Sequence, residues 1–271
     1  MTEADAIEQT DEPLTVERLV SDLRDLGVES GDTLLVHSSL SSLGWVAVGP
    51  PTVVDALMEA VGEDGTLVMP THSTQYSDPS DWQNPPVPSD WIPEIRSSAP
   101  PYRPDVTPTR GMGAIAECFR AYPSVVRSRH PLYSFAAWGD DAEAVVADHG
   151  YDNGLGEESP LARVYERDGE ILMLGTGHDT NTSLHLAEHR GEYDQTFVTG
   201  GAPVMVDDDR QWISFEGLDY DSEDFADAGD AFERDRDDAV VRGEVGCAET
   251  RLLSQRELVD YGAEWFGENR T

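Results

Sequence analysis

Basic residues are scarce in this sequence. Its 271 residues include 18 Lys and Arg against 54 Asp and Glu, which gives a formal net charge of −36 at pH 7. The acidic residues are spread along the chain rather than gathered into one tail. Proteins that bind the phosphate backbone of nucleic acid need a basic surface, so this charge argues against a nucleic-acid partner.

Cysteine is nearly absent. Cys118 and Cys247 are too few for a disulfide framework, and neither belongs to a Cys-x-x-Cys pair that would suggest zinc binding or redox chemistry. The small disulfide-rich secreted domains and the zinc-ribbon proteins are therefore excluded as classes.

Long apolar runs are missing as well. No run of about eighteen apolar residues occurs, and the first dozen residues, MTEADAIEQTDE, are acidic where a secretory signal would carry a basic segment. We therefore expect a cytoplasmic protein that has no membrane partner.

The excess of acidic residues suggests the conditions under which the protein folds. Self-repulsion on this scale weakens a folded state in dilute buffer, whereas molar salt shortens the Debye length to about 3 Å and screens it. Our hypothesis is a salt-rich cytoplasm, as in a halophile. An acidic surface also concentrates cations, which favours a cationic small-molecule substrate over an anionic one.

Apolar periodicity predicts alternating helices and strands. Helical spacing occurs in Leu14–Leu26, Pro51–Val61, Met112–Ala121 and Asp140–Ala147, and the C-terminal run Arg251–Trp265 closes with a helix. Short β-rich runs occur at TLLVHSSL, TLVMP, Ser134–Trp138, Glu170–Gly175 and 212–215. This alternation predicts an α/β sandwich.

Residues 77–108 depart from this pattern. They contain nine prolines and two tryptophans, and such a long excursion inside a compact domain is usually functional. We interpret the segment as a Pro-rich insertion that covers the substrate. Without an internal repeat or a clean linker, the simplest organisation is a single domain over residues 1–271.

Three polar segments follow predicted strands or open predicted helices. They are the loop from His37 to Gly44, the tripeptide Thr71-His72-Ser73, and Arg110-Gly111-Met112-Gly113. Ligands of open α/β sheets bind beyond the carboxyl ends of the strands, where hydroxyl groups and free backbone N–H groups can hold phosphate. Each segment also fits an ordinary turn or strand end.

A fourth segment, Arg127-Ser128-Arg129-His130-Pro131, is a basic cluster in a chain with few basic residues. Guanidinium groups pair well with phosphate, so the cluster suggests a bound anion.

A fifth segment, from Asn181 to His189, predicts a helix capped by Asn181 or Thr182. His185, Glu188 and His189 then share one helix face. The His-x-x-Glu-His spacing is also a zinc-binding pattern, which keeps a zinc-dependent hydrolase open as an alternative.

Together these segments resemble the aminoglycoside 3-N-acetyltransferase family, also called the antibiotic N-acetyltransferases. The similarity runs through GDTLLVHSSLSSLGWVAVGPPTVVDALMEAVGEDGTLVMPTHS at 31–73, TRGMGAIAECFRAYPSVVRSRHPLYSFAAWG at 109–139, GEESPL at 156–161 and ILMLGTGHDTNTSLHLAEHR at 171–190. It is strong over about residues 14–200 and loose beyond. The resemblance implies an α/β fold, a three-layer α/β/α sandwich with a mixed central sheet.

The resemblance also implies acetyl-coenzyme A (acetyl-CoA) as cosubstrate, an amine of an aminoglycoside or a related polyamine-like molecule as acceptor, no metal, and a link to antibiotic resistance. By this likeness the coenzyme site is formed by His37, Ser38, Ser39, Leu40, Ser41, Ser42, Thr71, Ser73, Met112, Gly113 and Arg127.

His185 matches the catalytic histidine of the family's Leu-His-x-x-Glu motif. Histidine, whose unperturbed pKa is about 6.5, suits the role of general base in direct transfer. Glu188 and Glu233 are the candidates for the carboxylate that orients it, and Thr71 is a candidate donor to the thioester oxygen. A zinc hydrolase and a non-catalytic ligand-binding relative remain as alternatives.

Overall fold

The computed structural model describes residues 3–8 and 10–271. The helices are Glu3–Glu8 (α1), Val16–Leu26 (α2), Pro50–Val61 (α3), Ile92–Ser98 (α4), Gly113–Phe119 (α5), Ala142–Val146 (α6), Pro160–Glu166 (α7), Ser183–Arg190 (α8), Phe225–Asp235 (α9) and Gln255–Asn269 (α10). The strands are Thr33–Ser38 (β1), Thr66–Pro70 (β2), Val126–Arg127 (β3), Phe135–Gly139 (β4), Glu170–Leu174 (β5), Phe197–Val206 (β6), Asp209–Leu218 (β7), Val240–Val245 (β8) and Ala248–Ser254 (β9).

Seven of these strands form one mixed sheet in the order β3-β4-β2-β1-β5-β9-β8. The three central strands β2, β1 and β5 are parallel, and the flanking pairs are antiparallel. Strands β6 and β7 form a separate hairpin.

Alternation along the central strands places a hydrophobic core on each face of the sheet. Leu34 and Val36 of β1 pack with Leu23 of α2 and Leu57 of α3, whereas Leu35 faces the opposite core. That second core receives side chains from α6, α7, α8, α9 and α10. Because successive side chains of a strand point to opposite faces, the chain forms the predicted three-layer α/β/α sandwich with a mixed sheet.

Helix α2 shows how local sequence sets an element's ends. The Thr15 side chain accepts a hydrogen bond from the Arg18 backbone N–H, and Gly27 ends the helix with a φ of 116°. A cap of this kind contributes about 1 kcal/mol, and a left-handed residue at a helix end favours glycine.

The C-terminal run differs from the prediction at its start. Residues 251–254 complete β9, which pairs with β5 through Leu172 and Leu252, and α10 begins only at Gln255. The Ser254 side chain caps α10 by accepting from the Glu257 N–H. The strand partner lies about 80 residues earlier, so local periodicity could not separate strand from helix here.

The Pro-rich residues 77–108 are folded against the β6–β7 hairpin. The Tyr102 N–H donates to the Pro203 carbonyl at 2.8 Å, and the Arg210 guanidinium donates to the Ala99 carbonyl at 2.8 Å.

Of the helices in the described part of the chain, none has the length and apolar character needed to cross a bilayer.

Candidate active site

A cleft of about 980 Å³ opens at the carboxyl ends of the parallel strands. The residues that line it come from the ends of β1 and β2, from the loop after β5 and from the start of α8, and they include His37, His72, Thr176 and His185. This is the sheet edge where α/β folds usually bind ligands.

His185 and Glu188 form a close pair on α8. The His185 Nδ1 donates to Glu188 Oε2 at 2.5 Å, because residues three apart on a helix share a face. The Asn181 side chain accepts from the Ser183 N–H at 3.2 Å and so helps to start this helix. With Nδ1 occupied, Nε2 is the nitrogen left to act on a substrate.

Glu188 is completely buried and is held from three sides. Its Oε1 accepts from Arg270 Nη1 at 2.6 Å and from the Asp221 N–H at 3.1 Å, while Oε2 faces His185. Burial lowers the pKa of Arg270, but its hydrogen bonds to Asp224 and Glu188 raise that pKa above the ordinary value. The carboxylate is therefore fixed beside His185 and does not line the cleft.

Aromatic rings fix the other sides of His185. The Tyr220 and Phe225 rings lie with centroids 4.8 and 4.7 Å from the imidazole. The Tyr220 hydroxyl accepts from the Leu155 N–H at 3.0 Å and shares a hydrogen bond with His189 Nε2 at 3.0 Å. His189 is thus turned toward Tyr220 rather than toward the same point as His185.

Glu233, the other predicted partner of His185, lies elsewhere. Its Oε1 accepts from His178 Nε2 at 2.9 Å, and its carboxylate also pairs with Arg251 and Arg242. His178 packs directly over Gly229 of α9, where a Cβ atom would lie 2.0 Å from the ring. Of the two candidate carboxylates, the structure places Glu188 at His185 and Glu233 at His178.

The serine-rich loop after β1 forms one wall of the cleft. His37, Ser38, Ser39, Leu40 and Ser41 line it, whereas the Ser42 hydroxyl donates to the Gly175 carbonyl at 3.0 Å and ties the loop to the end of β5. The His37 Nε2 and the Thr182 hydroxyl are 3.2 Å apart. Burial, with His178 and His185 nearby, lowers the pKa of His37 to about 3.

Met112 and Gly113, at the start of α5, form the facing wall together with Gly111. Gly111 and Gly113 have φ values of 76° and 81°, a backbone region in which side chains are strained. Glycine at these two positions also allows the backbone to approach a ligand closely, because no side chain intervenes.

Thr71, Ser73 and Arg127 are not among the residues that line the cleft. The Thr71 hydroxyl donates to the Ser134 carbonyl at 3.1 Å and accepts from Arg127 Nε at 3.1 Å, and the Ser73 hydroxyl donates to the Pro131 carbonyl at 2.8 Å. The Arg127 guanidinium also donates to the Pro104 carbonyl at 3.2 Å. These three side chains support the wall from behind.

The predicted basic cluster does not form a common anion site. Arg127 is turned inward over the Tyr102 ring, and burial lowers its pKa. Ser128 and His130 are buried, which leaves only Arg129 exposed.

Comparison with known proteins adds to this geometry. The family model described as aminoglycoside 3-N-acetyltransferase matches residues 35–267. The aminoglycoside N(3')-acetyltransferase-like protein YokD of Bacillus subtilis (strain 168) is 46% identical over 264 residues, covering 97% of this chain and 96% of YokD. The chain belongs to the aminoglycoside 3-N-acetyltransferase family.

Solved structures of the family superimpose closely. The crystal structure of YokD gives a TM-score of 0.95 at 44% identity and covers 98% of both chains. The structure of AAC-IIIb in a binary complex with CoASH gives 0.86 at 30% identity and covers 96% of this chain and 98% of that chain. Aminoglycoside N(3)-acetyltransferase VII of Streptomyces paromomycinus is 38% identical in sequence, over 99% of this chain and 96% of its own.

Membership of the acetyltransferase family leaves the zinc hydrolase alternative unsupported. His185 is paired with Glu188, Glu188 with Arg270, and His189 with Tyr220, so the three side chains of the zinc pattern do not converge on one point. Within residues 3–8 and 10–271, no group of three potential ligands is arranged to hold a metal ion.

No role was predicted from the sequence for several residues that lie in the cleft or behind it. Tyr133, Tyr220 and Phe225 line the cleft as aromatic walls, and Asp179 is an acidic group at its edge. Arg270 carries no motif and lies 82 residues after Glu188. His72 belongs to the predicted segment Thr71-His72-Ser73, but no role was predicted for its side chain. Because side chains alternate along an extended chain, His72 faces the cleft, whereas Thr71 and Ser73 face away from it.

Proposed function

We propose that this protein is an acetyl-CoA-dependent N-acetyltransferase that transfers the acetyl group directly to the 3-amine of an aminoglycoside or to an amine of a related polyamine-like molecule. The observation that carries the proposal is that His185 lines a cleft large enough for coenzyme and acceptor and is paired with the buried Glu188. Relatives that are aminoglycoside N(3)-acetyltransferases support the 3-amine as the acceptor position.

His185 is the general base in this proposal. Glu188 holds Nδ1–H, so Nε2 can accept a proton from the amine as that amine attacks the thioester carbonyl carbon. The negative charge of Glu188 then stabilises the imidazolium that forms, by the logic of a hydrolase triad. The proton passes on to the leaving sulfur, and no acyl-enzyme is required.

The coenzyme site in this proposal is the channel between the His37–Ser41 loop and the Met112–Gly113 wall. Hydroxyl groups and backbone N–H groups there can bind phosphate. The only charged side chains among the described lining residues are Glu3 and Asp179, so neutral donors rather than arginines hold the phosphates. Ser42, Thr71, Ser73 and Arg127 support these walls from behind.

The acceptor is a cation in this proposal. The chain's net charge of −36 concentrates polycations near it, and Asp179 places a carboxylate at the cleft. A link to antibiotic resistance follows if that cation is an aminoglycoside.

We also propose that the protein functions in a salt-rich cytoplasm. The sequence contains no lysine, so its 18 basic residues are all arginines set against 54 acidic ones. At molar salt the Debye length of about 3 Å removes most of the repulsion among exposed carboxylates.

The organisation as one domain with a Pro-rich insertion is part of the same proposal. Residues 77–108 do not line the cleft in the described structure, but they pack on the β6–β7 hairpin. Phe215 of that hairpin packs in one cluster with Tyr133, which does line the cleft. The insertion can therefore influence the choice of acceptor through Tyr133.

The test is thiol release from acetyl-CoA in molar potassium chloride, with and without a panel of aminoglycosides, followed by mass spectrometric location of the acetyl group. Release that depends on an aminoglycoside and modification at the 3-amine support the proposal. Coenzyme binding without any amine-dependent release would instead favour a non-catalytic ligand-binding relative.

A further inference from the structure

His72 lies in the wall of the cleft and has an unused ring nitrogen. It follows β2, its exposed fraction is 6%, and it lines the cleft together with His185. Among the described residues, no hydrogen-bond partner reaches its buried Nε2. The other ring nitrogen, Nδ1, also makes no hydrogen bond within the described residues and is not fully buried, so it is the atom that a ligand in the cleft can reach.

The surroundings of His72 hold its ring in place. The backbone N–H groups of Thr71 and Ser73 donate to the Ser134 and Leu132 carbonyls at 2.9 and 2.8 Å. The rings of Tyr133 and Phe135 meet the imidazole edge-on, with centroids 5.6 and 5.3 Å away. A polar group fixed in this way before the ligand binds is what electrostatic catalysis requires.

The ring is also neutral at the pH of the reaction. Burial lowers the pKa of His72 to about 3, and the neighbouring His185 and His149 act in the same direction. A neutral imidazole offers one N–H without a charge that would oppose protonation of His185. A charged ring beside the general base would hinder proton transfer.

We propose that His72 is a catalytic residue whose ring N–H donates a hydrogen bond to the carbonyl oxygen of the acetyl thioester while the amine attacks. This inference rests on the proposed function. The amine nitrogen forms a bond to the carbonyl carbon, and the π electron pair moves to the oxygen held by His72. When that pair returns, the carbon–sulfur bond breaks, and the proton taken by His185 goes to sulfur.

This assignment replaces Thr71 in the role of donor to the thioester oxygen. The Thr71 hydroxyl already donates to the Ser134 carbonyl and lies behind the wall, whereas the His72 ring lines the cleft. Neighbouring positions of an extended chain cannot both face the same side.

The first test compares His72→Phe with His72→Gln in thiol-release kinetics. Phenylalanine keeps the packing against Tyr133 and Phe135 but removes the donor, so kcat should fall by about 10²–10³-fold while KM for acetyl-CoA changes by less than about threefold. Glutamine restores an N–H donor and should recover at least about tenfold of that loss. A kcat for His72→Phe within about twofold of the parent would overturn the inference.

The second test uses the unmodified protein and does not depend on turnover. Nitrogen NMR of isotopically labelled histidine, assigned with His72→Gln, should show the His72 ring signal moving when acetyl-CoA is added without an amine. Coenzyme A without the acetyl group should leave it in place, and equal shifts with both ligands would refute the contact. If no amine supports thiol release, the proposed function fails while this spectrum still decides the role of His72.

Discussion

Replacing Glu188 with glutamine removes one negative charge and keeps the shape of the side chain. Two unit charges about 4 Å apart interact by about 4 kcal/mol at an effective dielectric constant of about 20, which corresponds to about 10³-fold in rate. Arg270, 2.6 Å from Glu188, offsets part of this attraction for a protonated His185. We therefore expect kcat for Glu188→Gln to fall by about 10²–10³-fold.

The same substitution should weaken the fold only moderately. Arg270 loses the charge of Glu188 but keeps its pair with Asp224 at 2.5 Å, so it is not left buried and unpaired. We expect the free energy of unfolding to fall by about 1–3 kcal/mol. Coenzyme binding, followed by calorimetry, should be unchanged, because Glu188 lies behind His185 and does not line the cleft.

Glu233→Gln is the matched control. It removes the same charge from a partly buried carboxylate, but that carboxylate pairs with His178, Arg242 and Arg251 rather than with His185. Its kcat should fall by less than about tenfold. If the two variants lose activity equally, or if Glu188→Gln stays within about threefold of the parent, Glu188 does not serve as the orienting carboxylate.

Three further predictions follow from the same structure. His185→Ala should lower kcat by at least about 10³-fold and leave coenzyme A binding intact, because the base acts after binding, and lost binding would contradict this. The melting temperature should rise from dilute buffer to molar potassium chloride, and a maximum at low salt would exclude halophilic adaptation. His37, His72 and His149 have pKa values lowered by burial to about 3, 3 and 4, so below pH 6.5 the unfolded chain binds protons that the folded chain does not. Chemical denaturation should show stability falling toward acid by up to about 4 kcal/mol per pH unit near pH 5, whereas a flat profile from pH 7 to pH 5 would refute these neutral histidines.

The fold could be predicted largely because its determinants are local. Apolar spacing marked α2 and α3 and the buried strands β1, β2 and β5, and the structure confirms the sandwich. The β6–β7 hairpin was only half predicted, as a strand at 212–215, because β6 contains Gly200, Gly201 and Pro203, residues that are depleted in strands. Its long pairing with β7 outweighs those preferences.

The contact between His185 and Glu188 could be predicted from the sequence for a geometric reason. His185 and Glu188 are three residues apart on one helix, so their contact follows from helix geometry. Arg270 comes from the last residues of the chain, and its approach to Glu188 depends on how α10 packs against α8. The sequence also could not show whether Thr71 or His72 faces the cleft. That choice depends on how the extended chain after β2 is oriented in the folded protein.

The burial of the Glu188–Arg270 pair separates it from the salt that screens the exposed ion pairs of this acidic chain. Exposed pairs such as Arg234 with Asp235, whose side chains are 69% and 48% exposed, are screened by molar salt. Glu188 and Arg270 are 0% and 13% exposed, so salt ions cannot come between them. Under the proposed function, salt screens the charge of the surface while the carboxylate beside the general base stays shielded from that salt. The buried arginine does this, since it holds the carboxylate at His185 whatever the ionic strength outside.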